Sequence, residues 1–416
     1  MIKKAALLVV VASALFACEN KETTEEIPVS GINNVTLNVE QTAFTRAVNN
    51  QKGATEYAIL GSGKLYFLNS AFTSIFQRQL TPAEVATLAN STSAASSGNT
   101  VTISGVPSSA QYLYFMANIK TDVGQVFPAV EGSTSADARL RVDRLQGNAQ
   151  NVPMSGLSPA FTPTIGNNYT ASVEISPIVA RIELAQVTCQ NVTVGSPIST
   201  DITAFKLAGV FINNVNQYVR LDATPYLNAP VNIVNQAGWA TDYASYFTNN
   251  VNFPYYAGGS PSAPGDWTAN AFVDYCSPTI VSGLSFYPDA TNGATIVPPL
   301  STPKPAWAYQ VCPSAALISG QTTPAADIPH IILKLTDVEY VSNPLGATTL
   351  YVVVSKYKDS STNDNILEFK RGNVYRINNL TFNQTQATGK PYDSNISVTC
   401  SVTVKPWVIN SVNPVW

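Results

Sequence analysis

The sequence predicts an all-β protein: two antiparallel β-sandwich domains in tandem, with one or two short helices. Three observations carry this. Apolar residues recur at every second position in most patterned stretches, the period of a strand with one buried face. The patterned runs have strand length and are punctuated by Pro, Gly and Asn, while helical periodicity is nearly absent. The 416 residues are 45% hydrophobic but only 12% charged, so the polar surface must come from Ser, Thr, Asn and Gln, and abundant Tyr, Val and Ile suit strands. That length accommodates two domains.

The chain opens on "MIKK", a short basic segment, followed by "AALLVVVASALFA", an apolar run too short for a spanning helix. Residues 1–18 read as a signal peptide. Its ending "LFAC", Leu15 to Cys18, resembles a bacterial lipobox, in which the cysteine is acylated and becomes the new amino terminus. An ordinary export signal with a chance cysteine is the alternative. The charged "ENKETTEEIPVSG", residues 19–31, reads as a tether.

The first strand is "NNVTLNVEQTAF", with Val35, Leu37 and Val39 on one face and Phe44 near its end, closed by Thr45-Arg46-Ala47. "GSGK", Gly61 to Lys64, lacks the upstream glycine of a phosphate loop and reads as a turn before the strand "KLYFLNS". "NSAFTSIFQRQ" is expected to form a helical turn or two. "LTPAEVATLAN" is the one strong helix: Thr81 caps it, Pro82 takes the first position, and Glu84 stands three after the cap. "QYLYFMANIK" is a strand, and "YTASVEISPIVARIELAQVT" is a long β-branched stretch broken by Pro177. A domain boundary is expected near Gly195, giving an amino-terminal sandwich over 32–195 and a carboxy-terminal one over 196–416.

The second half continues with "ITAFKLAGVFINNVN", ending in Asn-rich turn material. Residues Asp222 to Gln310 are rich in Pro, Gly and Asn and carry Trp239, Tyr243, Tyr246, Phe247, Tyr255, Tyr256, Trp267 and Trp307. Short strands and packed loops are expected there, because so long a structureless loop is uncommon in a compact domain. "HIILKLTDVEYV" and "TTLYVVVSKYK" are separated by the turn signal "SNPLGA", and "NVYRINNLTFNQ" precedes the last strand. That strand puts Ile396, Val398, Cys400, Val402 and Val404 on one face and Ser and Thr on the other.

Several function classes lack support. No basic stripe invites nucleic acid at a net charge of −3. The lone histidine, His330, enters a strand and reads as structural. Asp137 and Asp143 lie among Arg139, Arg141 and Arg144, a solvated edge or turn rather than a catalytic pair. No metal spacing, cofactor motif or catalytic residue is assigned. Five cysteines less Cys18 leave Cys189, Cys276, Cys312 and Cys400. An exported chain permits two disulfides in any of three pairings; the shorter separation favours Cys276–Cys312, and four buried thiols are the alternative.

Two features remain. The first strand ends at a cleavable arginine, and the last strand carries a matching apolar face. Loss of the first would open an apolar trough that an extended strand could fill. Filled by another copy's last strand, the contact is heterologous and propagates as a fibre. The alternative is that Arg46 is a loop arginine and the last strand completes its own domain.

The residues resemble the fimbrillin family of Bacteroidetes, the FimA/Mfa1-type subunits of type V pili. The resemblance lies in the lipobox, the post-arginine position, "SVTVKPW" with its short apolar tail, and the ordered strings "YLYFMANI", "VPMSG", "IVARIEL", "FKLAGVFIN" and "FKRGNVYRINNLTF". It implies two transthyretin-like sandwiches and export to the outer membrane as a lipoprotein acylated at Cys18. An extracellular arginine-specific protease would cut Arg46–Ala47 and remove residues 32–46, and donor-strand assembly into a surface fimbrium, preferably in its stalk, would follow. The donor is residues 396–416, with Val398, Cys400, Val402, Val404, Trp407, Ile409, Val412 and Trp416 as its apolar positions. Partners are other copies, related fimbrial subunits, and host or bacterial surface receptors. Cys400 departs from the family pattern: it either pairs with Cys189, tethering the strand, or packs as a small hydrophobe. A rival reading is a surface lipoprotein that binds glycans through the exposed aromatics of residues 222–310.

Overall fold

In the computed structural model, residues 31–40, 58–89, 100–118, 139–142, 152–192, 197–214, 218–220, 273–276, 281–289, 293–300, 304–314, 320–325, 327–390, 398–406 and 409–410 are described. The first half holds β1 (Ile32–Glu40), β2 (Ala58–Ile59), β3 (Gly63–Leu68), β4 (Ser74–Gln79), helix α1 (Pro82–Ala89), β5 (Thr100–Pro107), β6 (Tyr112–Ala117), β7 (Arg139–Arg141), β8 (Met154–Leu157), β9 (Thr162–Pro163), β10 (Asn168–Glu174) and β11 (Ser176–Pro177). The second holds β12 (Ala180–Leu184), β13 (Val187–Cys189), β14 (Ile202–Asn213), β15 (Tyr218–Arg220), β16 (Val273–Tyr275), β17 (Ser285–Asp289), β18 (Gly293–Thr295), β19 (Trp307–Val311), β20 (His330–Tyr340), β21 (Asn343–Asp359), β22 (Asn365–Ile366), β23 (Asn373–Ile377), β24 (Leu380–Phe382), β25 (Val398–Pro406) and β26 (Ile409–Asn410).

The fold is all-β, as its alternating patterns require. In the first half a four-stranded sheet, β5-β1-β10-β9, faces a five-stranded one, β11-β8-β6-β3-β4. In the second, β16-β14-β20-β21-β25-β23-β12-β19 forms one large sheet and β18-β17-β13-β24 a smaller one. Most pairs are antiparallel, but β1–β10, β12–β23, β13–β24, β21–β25 and β2–β26 are parallel. The sheets change over between Pro177 and Ala180, ahead of the expected boundary at Gly195, because β12 and β13 already pair with the second set.

Local chemistry explains the elements. Thr81 caps α1: the Glu84 amide donates to its Oγ1 at 3.3 Å, and its own amide donates to the Glu84 carboxylate at 2.8 Å, a reciprocal capping box. Arg78 adds a 2.6 Å bond to the same carboxylate; against partial desolvation, the Thr81 amide and hydroxyl and then Arg78 hold Glu84 below the usual carboxylate range. Gly61 and Ser62 lead into β3, which already includes Gly63 and Lys64, and their amides donate to Asn118 Oδ1. Gly156 is required where the sheets touch, since a Cβ there would lie 2.0 Å from the Glu174 carbonyl.

Two expectations need correction. The stretch "NSAFTSIFQRQ" is not helical: residues 69–73 form a tight turn and β4 follows, Phe76 opposite Phe67. The turn after β20 is only Val341–Ser342, and "NPLGA" belongs to β21. Its Pro and Gly mark a bulge: Asp337 and Gly346 have φ of 49° and 38°, and the β20–β21 register shifts after Leu335.

Candidate assembly site

β1 is an interior strand. It runs parallel to β10 from Asn34↔Asn168 to Glu40↔Glu174 and antiparallel to β5, with Val35 opposite Ile103. Val35, Leu37 and Val39 are fully buried, while Asn34 and Thr36 bond across the outer face to Asn168 and Thr102. Since, among the described residues, β5 joins its sheet only through β1, removing β1 would both empty an apolar slot and strand β5. Phe44, Arg46, Ala47 and Cys18 lie outside the described residues.

β25 lies in the interior of the large sheet. It sits between β21, parallel, and β23, antiparallel. The reason is its pattern. Cys400 and Val402 are buried, Val404 packs against the core, and Cys400 and Val404 stand opposite Tyr357 and Tyr375. The run the sequence shows as one strand divides: after Pro406 the chain passes to β26, which pairs with β2 of the first half at Ala58↔Ile409. Trp407, Val412 and Trp416 lie outside the described residues, and for Val398 and Ile409 only the backbone is described.

The cysteines do not form the expected bridges. Cys276 and Cys312 are not joined, nor are Cys189 and Cys400; all four are buried thiols. Burial pushes Cys189 and Cys400 up to about 12. Burial also raises Cys276 and Cys312, so each stays protonated. Cys400 therefore packs as a small hydrophobe. His330 is neutral as well, lowered to about 4 by desolvation. Trp307 is buried with its indole donating to the Gly293 carbonyl, and Tyr309 is buried on Asp274, so neither offers a glycan platform. Phe286 and Tyr287 are buried as well; Trp239, Tyr243, Tyr246, Phe247, Tyr255, Tyr256 and Trp267 lie outside the described residues, as do Asp137, Asp143 and Arg144. Among the described residues no group of three or more His, Cys, Asp or Glu could hold a metal.

The junction between the halves carries charge chemistry that strand patterns do not reveal. Arg371 Nη2 donates to Ser155 Oγ at 3.0 Å and to the carbonyls of Ser155 and Ser176 at 3.3 Å. Glu183, fully buried, accepts from Arg181 at 2.7 Å and from Arg376 at 3.0 Å. Thus "VPMSG", "IVARIEL" and "FKRGNVYRINNLTF" meet in space.

No family model and no curated protein matches the chain. Solved structures do. A protein assigned to cell adhesion from Bacteroides eggerthii is 13% identical, with a TM-score of 0.54 over 92% of this chain and 98% of that one. The fimbrilin FimA from Porphyromonas gingivalis W83 is 15% identical, with a TM-score of 0.53 over 91% and 98%. The chain has the fimbrillin fold. Within this fold, β1 and β25 carry apolar positions of the same spacing: Val35, Leu37 and Val39 on one, Cys400, Val402 and Val404 on the other.

Proposed function

We propose that the chain is a structural subunit of a cell-surface fimbria that supports adhesion. It is exported to the outer membrane as a lipoprotein on Cys18, cut after Arg46 by an arginine-specific extracellular protease, and polymerised when residues 396–416 of one copy enter the slot left by β1 in another. Its partners are further copies, related fimbrial subunits and surface receptors. One observation carries this reading: among the described residues, β1 is the only strand that pairs β5 into its sheet. Three apolar side chains at about 1.5–3 kcal/mol each, with ladder hydrogen bonds at about 0.5–1.5 kcal/mol apiece, match an association cost of about 4–15 kcal/mol. Before cleavage both slots are full, which holds the precursor as a monomer.

The test is limited trypsin digestion followed by a non-reducing gel without boiling. A clean cut at Arg46 and a heat-labile ladder are expected, and deletion of residues 397–416 should abolish the ladder. An uncut monomer retained on immobilised polysaccharide would favour the glycan-binding reading instead.

A further inference from the structure

One residue of β1 breaks the strand's own pattern. The buried positions are Asn33, Val35, Leu37 and Val39: an amide, then three apolar side chains. Asn33 is only 4% exposed. Burying an amide stabilises less than burying an aliphatic side chain in the same place.

The ladder is also weakest there. Asn33 stands opposite Val106 and Val35 opposite Ile103, so Asn34 alone faces Ser104 and Gly105 of β5. Gly105 has φ 79°, which marks a bulge in β5 that disrupts the pairing. β10 joins only from Asn34 onward. Among the described residues, Ile32 and Asn33 are therefore paired on one side, whereas Val35 to Asn38 are paired on both. Val39 and Glu40, at the far end, also have one neighbour, β10, but Val39 is a buried apolar side chain.

Cutting the chain after Arg46 breaks a peptide bond and removes none of these contacts. A strand held between two neighbours keeps its ladder and its buried face until another strand takes its place. The incoming strand has little to offer at three of the four positions. Aligned by their common spacing, Cys400 replaces Val35, Val402 replaces Leu37 and Val404 replaces Val39, each no larger than the residue it displaces. The same alignment sets Val398 in the place of Asn33. That is the one position at which the newcomer is the more apolar.

We propose that β1 stays in its slot after the cut as a bound plug, and that Asn33 is the position through which an incoming strand, aliphatic there, displaces it. The inference rests on the strand-exchange reading and gives it an order: cut, retention, then displacement from the Asn33 end. It also makes Asn33 a determinant of specificity, because a strand with a polar residue in that place gains nothing over β1.

The trypsin-cut protein tests both parts. Directly after the cut, in dilute solution, the piece ending at Arg46 should co-elute with the body on gel filtration, as read by mass spectrometry. A labelled synthetic peptide of residues 32–46 should enter the cut body only as the resident piece leaves, followed by fluorescence anisotropy. Asn33→Val should slow both that entry and ladder growth by roughly tenfold or more, since a buried amide gives way to an apolar side chain. Asn38→Val, on the outer face of the same strand, should leave both close to the parent. A piece that separates from the body at once, peptide entry into the Asn33→Val protein at the parent's rate, or equal slowing by Asn38→Val overturns the proposal. The exchange reading fails separately: a parent that forms no ladder, although the peptide enters with this dependence on Asn33, sinks that reading and leaves the plug standing.

Discussion

Single residues show where a sequence pattern speaks and where it is silent. Val35, Leu37 and Val39 were legible because only one face of β1 is buried, so alternation marks it. "ARIEL" alternates in the same way, yet all five of its residues are buried. Its polar face does not meet water; Arg181 and Glu183 are enclosed with Arg376, whose partner on β12 lies 193 residues away in the chain. No local signal reveals such a partner. A buried carboxylate held by two arginines stabilises little relative to an apolar substitute, but removing it leaves two buried cations facing each other. Glu183→Ala should therefore cost about 3–5 kcal/mol, read as a lower urea midpoint at an unchanged slope. Replacing Arg181, Glu183 and Arg376 together by apolar residues of similar volume should recover much of that loss.

At the level of elements, the errors share a cause. The stretch holding β4 was expected to form a helical turn or two; pairing with β3 makes it a strand and sets Phe76 against Phe67. Pro344 and Gly346 looked like a turn and instead shape a bulge inside a strand of 17 residues. β25 was legible as a strand but not in its position, because partners on either side, β21 and β23, are set by topology rather than by pattern. That position sharpens the exchange reading: β25 must unzip from two neighbours before it can be given away. If it moves as a whole with the polarity of β1, Cys400 takes the place of Val35, opposite Ile103 on β5. Cross-strand neighbours of this kind lie within the usual Cα separation of a disulfide, about 4.4–6.8 Å. Ile103→Cys should then trap an intermolecular disulfide with Cys400 when cut protein polymerises under mild oxidation. A ladder resistant to heat and collapsed by reductant is the expected gel. A ladder that stays heat-labile means that only the segment beyond Pro406 is donated.

For the whole molecule, the question is whether two sandwiches behave as one rod. A polymer joined end to end transmits force through every junction, so a limp junction would make a limp fibre. The covalent link is short, from Pro177 to Ala180, and the sequence placed it too late because β12 and β13 read as a continuation of the same β-branched stretch. What braces the link is Arg371, one guanidinium reaching two strands of the other half through Ser155 and Ser176. The backbone adds the Gly372 amide on the Val179 carbonyl, with Gly372 at φ 69° so that the chain can turn against Ser176 and Pro177. β26 on β2 and β15 on β7 cross the same divide. A planar guanidinium with several donors suits this brace, and a lysine cannot reproduce it. Arg371→Lys and Arg371→Met should both leave each sandwich folded but uncouple them. Calorimetry should resolve two overlapping transitions where the parent shows one, and scattering should report a broader distribution of end-to-end lengths. Glu183→Ala acts within the second sandwich and should lower only one of those transitions. A single sharp transition in the Arg371 variants, at the parent's temperature, would mean that the strand pairs alone carry the coupling.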